Sequence, residues 1–132
     1  MKGLLPSSAR GSAAVEFALV LPLLLVVGLA LLQVGLLIKD QLVVQEAARA
    51  GARQAAVSAD DGSVRDAAIQ AGGSLDRSLL TVTVERDQAP DGPVTVSVVY
   101  DAPIAVPFVR WLFPSAVRLS ARATMRQEGG DP

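Results

Sequence analysis

The sequence predicts an α+β protein: one long N-terminal helix, a short second helix and a small three-stranded antiparallel sheet. Three observations predict it. An apolar run from Phe17 to Ile38 contains Gln33 as its only strongly polar side chain. The helix-forming pattern then continues without a breaker until Asp60-Asp61-Gly62. Beyond that turn, three segments alternate apolar and polar residues with the period of two that marks a half-buried strand.

The apolar run is long enough to cross a bilayer. At about 1.5 Å per residue, residues 17–38 extend about 33 Å, against a hydrocarbon core of about 30 Å. It also far exceeds the apolar region of a cleaved secretory signal, about 7–15 residues. The small-residue run Ala47-Ala48-Arg49-Ala50 lies too far beyond the apolar block to serve as a signal cleavage site. Lys2 and Arg10 precede the span with no acid among them, whereas Lys39 beyond it is followed by Asp40. That asymmetry keeps the N-terminus in the cytoplasm and places the C-terminal domain outside. Pro22 removes one helical hydrogen bond, so a bend is expected near that turn. Prolines are also tolerated in membrane helices when a neighbour satisfies the freed carbonyl.

Composition excludes several function classes. The 132-residue chain has a net charge of −1, with no basic footprint for nucleic acid. With neither cysteine nor histidine, it has no disulfide, no thiolate or imidazole metal site and no histidine-based catalysis. No phosphate-binding loop or nucleophile-plus-base pair is present, so neither an enzyme nor a cofactor is expected. An excess of arginine over lysine hints at a GC-rich bacterial genome.

Glu16 stands at the lip of the span. A first-turn carboxylate suits a helix dipole and can sit among headgroups, but an ionisable residue at a membrane helix is also a functional candidate. Its setting is Gly11, four residues, Glu16, then Phe17 and the apolar run. Gly11-Ser12-Ala13-Ala14-Val15-Glu16-Phe17 resembles the prepilin-peptidase site of type IV pilin-like proteins. Extended through Ala18-Leu19-Val20-Leu21-Pro22-Leu23, and joined by the later Ala47-Ala48-Arg49-Ala50-Gly51-Ala52-Arg53, it is similar to TadE-like pseudopilins. These are minor components of tight-adherence (Flp-type) pilus systems. The resemblance covers about the first 57 residues. Pro22 falls earlier in the helix than the proline of major type IV pilins, which favours the TadE-like set.

The resemblance implies residues 1–11 as a cytoplasmic leader, 12–58 as a long pilin-like helix and 59–132 as an extracytoplasmic α+β domain. It implies cleavage between Gly11 and Ser12 by prepilin peptidase. Glu16 and Phe17 become the assembly and processing motif, with Glu16 pairing the freed amine of a neighbouring subunit. Implied partners are that peptidase, other pilins and pseudopilins of the same system, an inner-membrane assembly platform and the lipid bilayer. Alternatives are a permanently anchored, unprocessed binding or sensor module, or a secreted domain cut after the apolar block.

Small residues recur beyond the span at Ala47, Gly51 and Ala55, and at Ala48, Ala52 and Ala56. Such columns allow close backbone approach, either by this chain's own sheet or by another subunit. Glu46 and Arg49 have the spacing of a surface pair. Ser63 and Asp66 approximate a capping box for a helix through Ala71, ended by Gly72-Gly73. Leu80, Val82 and Val84 are expected to face inward, opposite Val94, Val96, Val98 and Tyr100, across a turn at Pro90-Asp91-Gly92. Residues 102–114 hold three prolines with Phe108, Trp111 and Phe113. This loop is expected to cap the sheet's core, with the membrane surface or a partner as alternatives. In 116–126, Val117, Leu119, Ala121, Ala123 and Met125 are expected inside and Arg118, Arg122 and Arg126 outside. That arginine stripe guards a sheet face or edge or meets an acidic or phospholipid partner. Residues 128–132 form a polar tail.

Overall fold

A computed structural model describes residues 7–128, with side chains from Ala9 to Glu128. The leader's Lys2 and the last four residues of the tail lie outside the described residues. Helix α1 runs from Ser7 to Val57 and passes through Pro22 without ending. Helix α2 covers Asp61–Ala71. The strands are β1, Leu80–Arg86; β2, Pro93–Pro103; and β3, Ala116–Arg126. They form an antiparallel sheet in the order β1-β2-β3. This is the expected α+β architecture.

The sheet follows from its side-chain alternation. Register pairs Leu80 with Tyr100 and Arg86 with Val94, and then Val94 with Met125 and Tyr100 with Leu119. One face therefore collects every inward residue of the three strands. On the central strand, Val94, Val96, Val98, Tyr100 and Ala102 are buried. The inner residues of the two outer strands are half-buried. Helices α1 and α2 cover this face, contributing Val44, Ala47, Ala48, Ala52, Ala55, Val64 and Ala68 to one core. At the hairpin turn, Asp91 adopts a left-handed φ of 63°. A Cβ on Gly92 would sit 2.8 Å from Asp87 Cβ and 2.9 Å from the Ala89 carbonyl oxygen, so the turn requires glycine there.

Two local expectations are corrected. The cap of α2 is Asp60, whose carboxylate accepts from the backbone N–H of Gly62 and Ser63 at 3.2 and 3.1 Å. Ser63 instead donates its hydroxyl to the Asp60 carbonyl at 2.8 Å. The earlier carboxylate wins because it satisfies two free donors of the first turn at once. Glu46 pairs with Arg53 at 3.0 Å, two turns along the helix, rather than with Arg49.

The corner between α1 and α2 is held by Arg86 at the end of β1. Its guanidinium donates to Asp61 Oδ1 at 2.8 Å, to the Ser58 carbonyl at 2.9 Å and to the Ala55 carbonyl at 3.3 Å. The Glu128 N–H donates to the Ala56 carbonyl at 3.1 Å. Carbonyls left unpaired at a helix end thus receive donors from distant parts of the chain, and the positive charge suits that end of the dipole.

Candidate functional site

The N-terminal half of α1 carries the predicted motif on an open surface. Gly11, Ser12, Glu16 and Phe17 are all exposed and all lie within the helix. From Val15 to Leu25 every side chain is exposed, although nearly all are apolar. Among the described residues, α1 alone is long and apolar enough to cross a membrane, and its most apolar stretch is 0% buried against the rest of the chain. A helix that is apolar on every side needs an apolar environment all round it, from lipid or from other helices. A Cβ added at Gly11 would meet nothing within 4 Å. The glycine fills no packing need in the folded chain, and it weakens the helix locally by about 1 kcal/mol relative to alanine.

The second half of α1 is turned toward its own domain. Ala47, Gly51 and Ala55 are buried, as are Ala48, Ala52 and Ala56. A Cβ on Gly51 would lie 2.9 Å from Val96 Cγ1 and 3.3 Å from Ala68 Cβ, which places this column against β2 and α2 of the same chain. Small side chains let helix, helix and sheet approach each other here, since anything larger has no space.

Between these halves the loop after β2 reaches back to α1. Gln33 is only 1% exposed, and its Oε1 accepts the Val106 N–H at 2.9 Å. Shielding on α1 begins at Val26 and continues through Leu29, Ala30, Gln33, Leu36 and Leu37, a stripe of helical period. Ile104, Val106 and Val109 are buried. The two aromatics expected to cap the core with them are not: Phe108 is 78% and Trp111 73% exposed. Ile104, Val106 and Val109 take the buried positions instead. Phe108 has a left-handed φ of 67°, which costs a bulky residue on the order of 1–3 kcal/mol. Trp111 folds onto the same bend, its indole N–H donating to the Phe108 carbonyl at 2.8 Å.

Residues 11–53 match the family model described as TadE-like protein. This segment is TadE-like. No curated protein and no solved structure matches the chain. The TadE-like segment contains Gly11, Ser12, Glu16 and Phe17, the apolar run with Gln33, and the small-residue column as far as Arg53. The sheet and the aromatic loop lie outside it.

Around the TadE-like segment, several charged groups of the domain are engaged structurally. Arg118 donates to Asp101 at 3.1 Å and Arg122 to the Ser97 hydroxyl at 3.3 Å, so this part of the arginine stripe is spent on cross-strand partners of the outer sheet face. Asp76 accepts from both the hydroxyl and the N–H of Ser78, which hold its carboxyl below the ordinary aspartate value. Among the described residues no cluster of three or more acidic side chains is arranged to hold a metal ion. Sequence reasoning overlooked two residues. Gln33 was visible as the one polar interruption of the apolar run. Arg86 gave no signal, because a terminal strand arginine looks like any solvated charge.

Proposed function

We propose that this protein is a pseudopilin, or minor pilin, that takes part in assembling a tight-adherence (Flp-type) pilus or a related secretion machine. The observation that carries this reading is the TadE-like segment, which opens with Gly11, Glu16 and Phe17 on an exposed helix that is apolar on all sides. Residues of about 17–38 anchor the chain in the cytoplasmic membrane, with the N-terminus inside and the sheet domain outside. Prepilin peptidase cuts between Gly11 and Ser12, removing Lys2 and Arg10 and with them the charge that opposes withdrawal of the helix from the bilayer. The released segment packs its apolar surface against other pilins and pseudopilins at an inner-membrane assembly platform. Glu16 pairs there with the new amine of a neighbour, each charge offsetting the other's burial. Nothing in this role calls for a cofactor or for nucleic acid.

Because Gly11 packs against nothing, a larger residue there tests processing without disturbing the fold. Mass spectrometry of the membrane-extracted protein is expected to find a chain beginning at Ser12. Gly11→Leu is expected to retain the leader and remain in the membrane fraction. Normal processing of Gly11→Leu refutes the site, and an intact leader on the unmutated chain in its native host refutes the pseudopilin reading in favour of a permanently anchored module.

A further inference from the structure

The loop after β2 stands at a height that α1 itself defines. Gln33 holds Val106, and Gln33 precedes Ile38, the last residue of the apolar run, by five positions. At about 1.5 Å per residue the contact lies about 7.5 Å below the end of that run. An element resting in a membrane interface penetrates about 5–10 Å. The loop is therefore held at interfacial depth beside the span, while Leu31, Leu32 and Val34 on neighbouring faces of α1 stay exposed at the same level.

Its chemistry suits that place. Phe108, Trp111 and Leu112 are exposed together at the loop's tip, with Arg110 among them. Part of the polar backbone that would resist entry is satisfied or missing. Pro103, Pro107 and Pro114 have no N–H, the N–H groups of Val106, Leu112 and Phe113 are bonded within the chain, and the Trp111 indole N–H is bonded to Phe108. An exposed tryptophan that already spends its donor internally gains little from water and loses little in lipid. The Phe108 backbone keeps a strained left-handed conformation although it leaves the aromatic exposed, which points the same way.

We propose that this loop is a second membrane contact: Phe108, Trp111 and Leu112 insert into the outer-leaflet interface beside α1, with Arg110 at the phosphate level. The contact fixes the domain's tilt and distance from the bilayer, and it must be withdrawn when the helix leaves the membrane. The inference rests on the anchored reading of α1.

Trp111 is the only tryptophan in the chain and reports on its own surroundings. The full chain is reconstituted at low protein-to-lipid ratio into phosphatidylcholine–phosphatidylglycerol vesicles, and flotation is measured alongside fluorescence. The expected result is co-flotation, a blue-shifted emission, protection from iodide, and severalfold stronger quenching by lipids brominated near the carbonyl end of the acyl chain than near the methyl end. Phe108→Ser with Leu112→Ser is expected to lower that quenching severalfold while the chain still floats. Co-flotation with Trp111 fully open to iodide and untouched by brominated lipid overturns the loop contact and leaves the anchor standing. Protection that develops only as the protein-to-lipid ratio rises assigns the surface to a second copy and likewise overturns it. Failure to float overturns the anchor and the loop contact together.

Discussion

Substitution of Gly51 by alanine separates two uses of the small-residue column by the sign of its effect. In an isolated helix the change is favourable by about 1 kcal/mol. In the folded chain the new methyl would lie 2.9 Å from Val96 Cγ1 and 3.3 Å from Ala68 Cβ. Val96 has little freedom to yield. It is completely buried on the central strand between Val84 and Ala123, and its branched side chain is stiff at χ1. Overpacking of this kind costs about 1–3 kcal/mol, so the net expectation is a loss of about 1 kcal/mol. Hydrogen exchange of β2 amides in the full chain, held in detergent micelles, reads this as a severalfold drop in protection, with tenfold corresponding to about 1.4 kcal/mol. Val96→Ala costs stability alone by leaving a void, but together with Gly51→Ala it vacates the room the new methyl needs. The pair is expected to be less harmful than the sum by about 0.5–1 kcal/mol. A rise in protection for Gly51→Ala alone would refute the reasoning. It would mean that the column is free of its own sheet in the single subunit and open to a neighbour.

Three further perturbations test other parts of the molecule. Arg86→Met removes the donors to Ala55, Ser58 and Asp61; charge-assisted bonds of this type predict a loss of about 2 kcal/mol, seen as faster proteolytic nicking at the α1–α2 corner, and unchanged nicking would show the clasp to be inert. Glu16→Gln, on an exposed site, is expected to leave exchange protection of the domain unaltered and to reduce recovery of other pilins in pull-downs from the native host; undiminished recovery argues against the pairing role. Asp76 is held below its ordinary value by Ser78. A depressed carboxyl contributes above its unfolded titration range and loses that contribution as pH falls through the folded value, so its turn is expected to loosen as pH falls below the ordinary aspartate range. In Ser78→Ala the Asp76 titration followed by NMR should move upward; an unmoved midpoint would dismiss the serine as its cause.

Patterning along the chain was enough to specify the elements, because each is a local matter. Alternation of Leu80, Val82 and Val84 and of Val94, Val96 and Val98 names the buried face of a hairpin without knowledge of what covers it. An uninterrupted apolar run names a helix that wants no water on any side, and the spacing of Gly11, Glu16 and Phe17 is contained within two helical turns. Partner choice across long separations was not legible in this way. Gln33 and Val106 are 73 residues apart, and Arg86 reaches carbonyls 28 and 31 residues before it. The sequence left the loop of residues 102–114 to cap the core, meet the membrane surface or meet a partner; three-dimensional packing buried Ile104, Val106 and Val109 and left Phe108 and Trp111 outside. A side chain's burial and its hydrogen-bond partner depend on which surfaces meet after the chain has folded back on itself, and no local repeat encodes that meeting.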